Sequence, residues 1–213
     1  YIGEYNSQSL QSLADLKGKT LYATGKGSTP EYFLRYLLSQ NGLDPDKDVT
    51  IQWKSQPSEV VALLNARQSG IAMLPQPYVT AAAAQLGEGF RVSLSLSQEW
   101  EKLDNGTLCT TAVVVARREY VRNPPEEVAA FLENLADSVA WVTENPDQAA
   151  ELCEAFGVIQ APVAKKAIPA CNLVCITGEA MRQALSGCLK VIYDQNPQAV
   201  GGAMPGDDFY YGA

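Results

Sequence analysis

The chain has 213 residues, with 16 basic and 24 acidic side chains, no histidine and a formal net charge of −8. The missing histidine excludes Ser–His–Asp and Cys–His catalysis and any imidazole metal ligand. The acidic balance argues against nucleic acid as a partner, because phosphate contacts need a basic face. A hydrophobic fraction of 46% and a charged fraction of 19% describe a folding globular chain of one domain or two small ones.

In chain order, the opening Tyr1-Ile2-Gly3-Glu4-Tyr5 carries neither an initiator Met nor the basic and apolar regions of an export signal. Lys19 to Thr24 predicts a strand, and Gly25-Lys26-Gly27-Ser28-Thr29-Pro30 a loop. A helix follows, with Leu34, Leu37 and Leu38 at helical spacing, ending at Asn41-Gly42. Val49 to Trp53 predicts a second strand, and a helix after Pro57-Ser58 carries Val60, Leu63 and Leu64. Ile71 to Leu74 is a short continuous apolar run, as expected of a strand covered on both faces. An Ala-rich helix follows Pro77 and ends near Gly87, and Phe90 to Leu96 predicts a fourth strand. Alternating strands and helices predict an α/β fold with a parallel sheet and helices on both faces.

Beyond Asp104-Asn105-Gly106, a turn, the pattern changes. Thr110 to Arg117 predicts a β-branched strand, and then helices dominate: Pro125 to about Thr143, Pro146 to about Phe156, and Ala161 to Ala167. The first carries an apolar stripe of Val128, Phe131, Leu132, Leu135, Val139 and Val142. A short segment, Cys171 to Ile176, precedes a last helix with Met181, Leu185, Cys188, Leu189 and Ile192. The longest aliphatic run, Ala112 to Ala116, is far short of the ~20 residues that span a membrane.

Several short motifs fail on context. Gly18-Lys19-Thr20 lacks the upstream glycine of a phosphate-binding loop and precedes a strand instead of following one. Gly25-x-Gly27 has Pro30 where a dinucleotide fingerprint needs its third glycine. Asn105-Gly106-Thr107 matches a glycosylation sequon but suits an Asn-Gly turn better. The pair Asp207-Asp208 suits a solvated turn, and no cofactor or metal is expected. The five cysteines, Cys109, Cys153, Cys171, Cys175 and Cys188, are too sparse for a disulfide scaffold and read as small core residues.

One constellation stands. Ligands of an open parallel sheet bind beyond the carboxyl ends of its strands. The loop Gly25 to Pro30 lies there, and Ser28 with Glu31 predicts a capping box at a helix start. Free first-turn N–H groups together with the Ser28 and Thr29 hydroxyls make a site for an anion or polar group. Leu74-Pro75-Gln76-Pro77-Tyr78 leaves the third strand at the same edge, and Gln76 and Tyr78 are candidates to face the same crevice. The same residues also suit a plain helix cap and a plain helix break.

Asp15-Leu16-Lys17-Gly18-Lys19-Thr20, Gly27-Ser28-Thr29 and Leu74-Pro75-Gln76-Pro77 resemble segments of the solute-binding proteins of ABC importers, of the nitrate/sulfonate/taurine and thiamine-precursor type. So do Ala112 to Arg117, Pro124-Pro125-Glu126-Glu127, Trp141 with Asn145-Pro146, Ile176-Thr177-Gly178-Glu179 and the Asp208-Phe209-Tyr210-Tyr211 tail. Gln76 and Ala72 depart from the Glu and Asp common in that family. The resemblance implies a periplasmic-binding-protein-like type II fold. Residues 1–12 would be a crossover or hinge segment. Residues 13–104 would form a complete β-α lobe, domain II. Residues 105–213 would supply the C-terminal, helical part of domain I, with the family's N-terminal part missing. Two lobes would close around a small polar or anionic solute, without catalysis, and dock on a membrane permease. Gly27, Ser28, Thr29, Gln76 and Tyr78 would line one wall and Asn172 the other. An extracytoplasmic monomer, periplasmic or lipoprotein-anchored on the outer face, is implied. Two rivals stay open: an effector-binding domain of a transcription regulator, and an enzyme using Cys171 or Cys175 as nucleophile.

Overall fold

A computed structural model describes residues 1–122 and 125–212 of the chain. Pro124, half of the Pro124-Pro125 step, lies outside the described residues. The chain divides into two compact units, Tyr1–Thr111 with Thr177–Ala213 (unit 1) and Ala112–Ile176 (unit 2).

Unit 1 is built on a five-stranded sheet: β1 (Ile2–Tyr5), β2 (Thr20–Thr24), β3 (Thr50–Lys54), β4 (Gly70–Met73) and β5 (Phe90–Leu94), in the order β3-β2-β4-β1-β5. Its helices are α1 (Thr29–Gln40), α2 (Pro57–Arg67), α3 (Tyr78–Leu86) and α4 (Leu96–Glu101), joined by the C-terminal helix, called αC here (Gly178–Gln195). The three β-α units expected from the sequence are present, and β2 pairs in parallel with both β3 and β4. The sheet is mixed, however, and not all parallel. Strand β1 runs antiparallel to β4 and to β5, with Ile2 opposite both Met73 and Leu94.

Alternation along the strands builds two cores. Leu21, Ala23, Ile71 and Met73 pack on one face with Leu34, Leu37 and Leu38 of α1, Trp100 of α4 and Cys188 of αC. Tyr22, Ala72 and Leu74 pack on the other with Val60 and Leu64 of α2 and Val79 and Ala82 of α3. The Trp100 ring lies 4.8 Å from Phe33 and 5.0 Å from Tyr36, centroid to centroid. Two expectations need correcting here. Strand β5 stops at Leu94, because Ser95 caps α4 by accepting from the Gln98 amide. Strand β1 falls within residues 1–12, the expected crossover segment, and carries Glu4 in the sheet interior.

Glu4 is fully buried. Its carboxylate accepts from the Ser7, Ser9 and Ser93 hydroxyls, from the Ser9 and Leu10 amides, and from Arg91. Burial pushes its pKa up, but the bonds from Ser93, Ser9 and Ser7 outweigh this and bring it down to about 2.

Unit 2 is helical among its described residues: α5 (Arg118–Arg122), α6 (Pro125–Glu144), α7 (Pro146–Ala155) and α8 (Ala161–Ala167). Its buried side chains are Val128, Ala149, Ala150, Ala164 and Ala167. The strand expected over Thr110 to Arg117 does not form: the segment has no ladder partner among the described residues, and Val113, Val114 and Val115 stay exposed.

Candidate functional site

Register places the candidate loops. Ala23 of β2 lies opposite Met73 of β4, and both strands run the same way. The segments Gly25–Ser28 and Leu74–Pro77 therefore leave neighbouring strands at one sheet edge, as the sequence suggested. Thr24 lies opposite Lys54, so Ser55-Gln56, after β3, leaves at that edge as well. Those two residues were missed, although the end of a predicted parallel strand was signal enough to find them.

At the first loop, Gly25 adopts φ +90°, and a Cβ there would meet the Pro30 ring at 2.9 Å. Only glycine suits this turn. The expected capping box takes another form. The Ser28 hydroxyl donates back to the Gly25 carbonyl at 2.7 Å, and Glu31 accepts from the Gly27 amide at 2.6 Å. The Ser28 side chain makes no cap bond to the first helical turn. The Ser28 amide is spent on Gly25 as well. Of the three loop candidates, Thr29 alone has an amide and hydroxyl with no partner among the described residues. They stand at the positive end of the 12-residue α1. Helix α2 repeats the design: Pro57 sits in its first turn, and Glu59 accepts from the Ser55 amide at 3.3 Å.

At the second loop, Gln76 is half-buried and accepts from the Thr80 hydroxyl at 2.8 Å. That fixes its carbonyl oxygen and leaves its amide N–H groups without a partner among the described residues. Tyr78 opens α3 and is 47% exposed. Asn172 belongs to unit 2, is exposed, and holds a left-handed backbone at φ +52°. Two surface depressions of unit 1, of about 460 and 350 Å³, lie elsewhere, one by Arg35, Tyr36 and Asp194 and one by Asn6, Glu88 and Arg91.

The cysteines are all free. Burial pushes the Cys109 thiol up to about 11, and raises Cys171 and Cys188. Among the described residues no three His, Cys, Asp or Glu side chains group as a metal site, and no helix is long and apolar enough to cross a membrane.

The model of the NMT1-like family matches residues 5–157, well over half of the chain. The chain belongs to the NMT1-like family. No curated protein matches it. Among solved structures, an ABC transporter protein from Parabacteroides distasonis is similar at TM-score 0.78 and 23% identity, over 99% of this chain and 69% of the other. The periplasmic aliphatic sulphonate binding protein of Escherichia coli is similar at TM-score 0.69 and 20% identity, over 93% of this chain and 64% of the other. A desulfurization enzyme shares the fold at TM-score 0.58 and 13% identity, over 92% of this chain and 69% of the other. This NMT1-like chain thus spans about two thirds of the length of these structures. The likeness bears out the periplasmic-binding-protein-like α/β fold expected from the sequence.

Proposed function

We propose that this NMT1-like chain is a solute-binding component of an ABC importer, and that it binds a small anionic solute of the sulfonate class without turning it over. The observation that carries the proposal is the edge where β2, β3 and β4 end. There the Thr29 amide and hydroxyl at the α1 N-terminus and the Gln76 amide stand as donors without partners among the described residues, and exposed Tyr78 follows at the same edge. An anion with several acceptor oxygens complements such donors. A sulfonate also keeps its charge at all physiological pH values, so it needs no proton-accepting partner. That chemistry fits a chain without histidine.

The solute bound by the Escherichia coli relative supports this choice of class. Gly27 and Ser28 would shape the loop, while Thr29, Gln76 and Tyr78 would touch the ligand. We assign residues 1–12 to the crossover, 13–104 to the ligand-binding lobe and the segment from residue 105 to the partner lobe and its return. Work outside the cytoplasmic membrane, as a periplasmic protein or lipoprotein, and docking on a permease follow from the same reading. A monomer without nucleic-acid affinity suits the net charge of −8. The raised Cys171 thiol favours binding over nucleophilic catalysis, because the thiolate is the reactive form.

Calorimetric titration with ethanesulfonate tests the proposal. Saturable binding is expected, weakened about tenfold or more in Thr29→Ala and in Gln76→Ala, which each remove a donor to a charged group. Absence of binding to any sulfonate, with an intact fold by circular dichroism, would overturn it.

A further inference from the structure

The chain leaves unit 1 at Thr111, and the stretch just before that point is tied to αC through sulfur. Thr107 lies flat on Gly187, where a Cβ would come within 2.0 Å of the threonine methyl. No other residue allows so close an approach. One residue on, the Cys188 thiol donates to the Leu108 carbonyl and accepts from the Thr110 amide at 3.3 Å. These two groups flank Cys109, so the Cys188 sulfur sits beside the Cys109 backbone. Cys188 is buried and Cys109 packs on the same core. A disulfide needs Cα atoms closer than about 7 Å. The Cys188 sulfur is hydrogen-bonded to both neighbours of Cys109, which sets the two cysteines side by side.

We propose that Cys109 and Cys188 are a modification site: a dithiol that a small-molecule disulfide converts to an intrachain bridge, locking the exit segment of unit 1 onto αC. The proposal does not depend on the solute-binding reading. One protein thiolate attacks a sulfur of oxidised glutathione and expels a glutathione thiolate, and the second protein thiolate then displaces the other glutathione. Two protein S–H bonds and the glutathione S–S bond break. One protein S–S bond forms, and the two protons end on the two released glutathione thiols. The protein is oxidised by two electrons and glutathione is reduced by two. The bridge replaces the two hydrogen bonds of Cys188 and closes a long loop, so it removes freedom from the unfolded chain. Both thiols are held protonated by burial, and the reaction is expected to be slow.

Incubating the full chain with oxidised glutathione, then alkylating under denaturing conditions and mapping the peptides, tests this. The expected product joins the Cys109 and Cys188 peptides, weighs two hydrogens less than the dithiol form, and melts about 5 °C higher, with reversal by a phosphine reductant. Cys188→Ser abolishes that product, and the mapping of the unsubstituted chain stands even if this variant folds poorly. Recovery of both residues alkylated, of stable glutathione adducts on either, or of bridges to Cys153, Cys171 or Cys175 instead would overturn the proposal.

Discussion

In unit 1, Leu34, Leu37 and Leu38 of α1 are fully buried under α4 and the sheet. In unit 2, an equally regular stripe on α6 buries only Val128 and leaves Phe131 at 48% exposure, and Val115 before it stands at 77%. Both patterns have helical spacing. The difference lies in what covers them. Unit 1 holds a sheet with helices on both faces, whereas unit 2 shows no strand among its described residues and buries chiefly alanines between its helices. Periodicity names the apolar face of a helix but carries no information about its cover.

The largest expected effect that sharpens this contrast is at Trp100. Replacing its fully buried ring with alanine should cost about 3–5 kcal/mol in urea unfolding. Next is Glu4→Gln, which leaves Arg91 without its buried charge partner and should cost about 3 kcal/mol at neutral pH. This variant also has a pH signature. The Glu4 pKa falls on folding from an ordinary 4.5 to about 2. Its stabilisation is therefore present above pH 4.5 and is lost as pH falls toward 2. Acid titration of stability should be shallower in Glu4→Gln over that window. It should not be flat, because Asp15, Asp44, Asp46 and Asp48 are lowered too.

Smaller still is Arg35→Ala, which removes a surface pair with Asp46 and should cost no more than about 1 kcal/mol. Smallest is Val114→Ser, at 62% exposure, expected within about 0.5 kcal/mol of the unsubstituted chain by the same unfolding measurement. A large loss there would break the comparison, since it would mean that the valines of unit 2 are covered in solution.

Much of unit 1 was legible in the sequence for a physical reason. The first and third predicted strands were short runs bounded by glycine or proline, and the first two helices opened with proline and a glutamate three residues past the cap, as in Ser28 to Glu31 and Gln56 to Glu59. Strand β1 was not legible, because Glu4 is compensated by Ser93 and Arg91, nearly ninety residues away. Thr110 to Arg117 looked like a strand because β-branched residues favour extended backbone, yet a strand also needs a neighbour. The site was half legible. The loops at Ser28 and Gln76 followed from strand order, but the turn of the Ser28 hydroxyl toward Gly25, which leaves the Thr29 hydroxyl unpartnered among the described residues, depends on a rotamer that spacing does not determine.

Hydrogen–deuterium exchange of the full chain, with and without ethanesulfonate, tests the location of the site most directly. Protection confined to peptides covering residues 25–32 and 74–80 is predicted. Unchanged exchange at those loops under saturating ligand, or protection at the Arg35 and Asp194 depression instead, would contradict it.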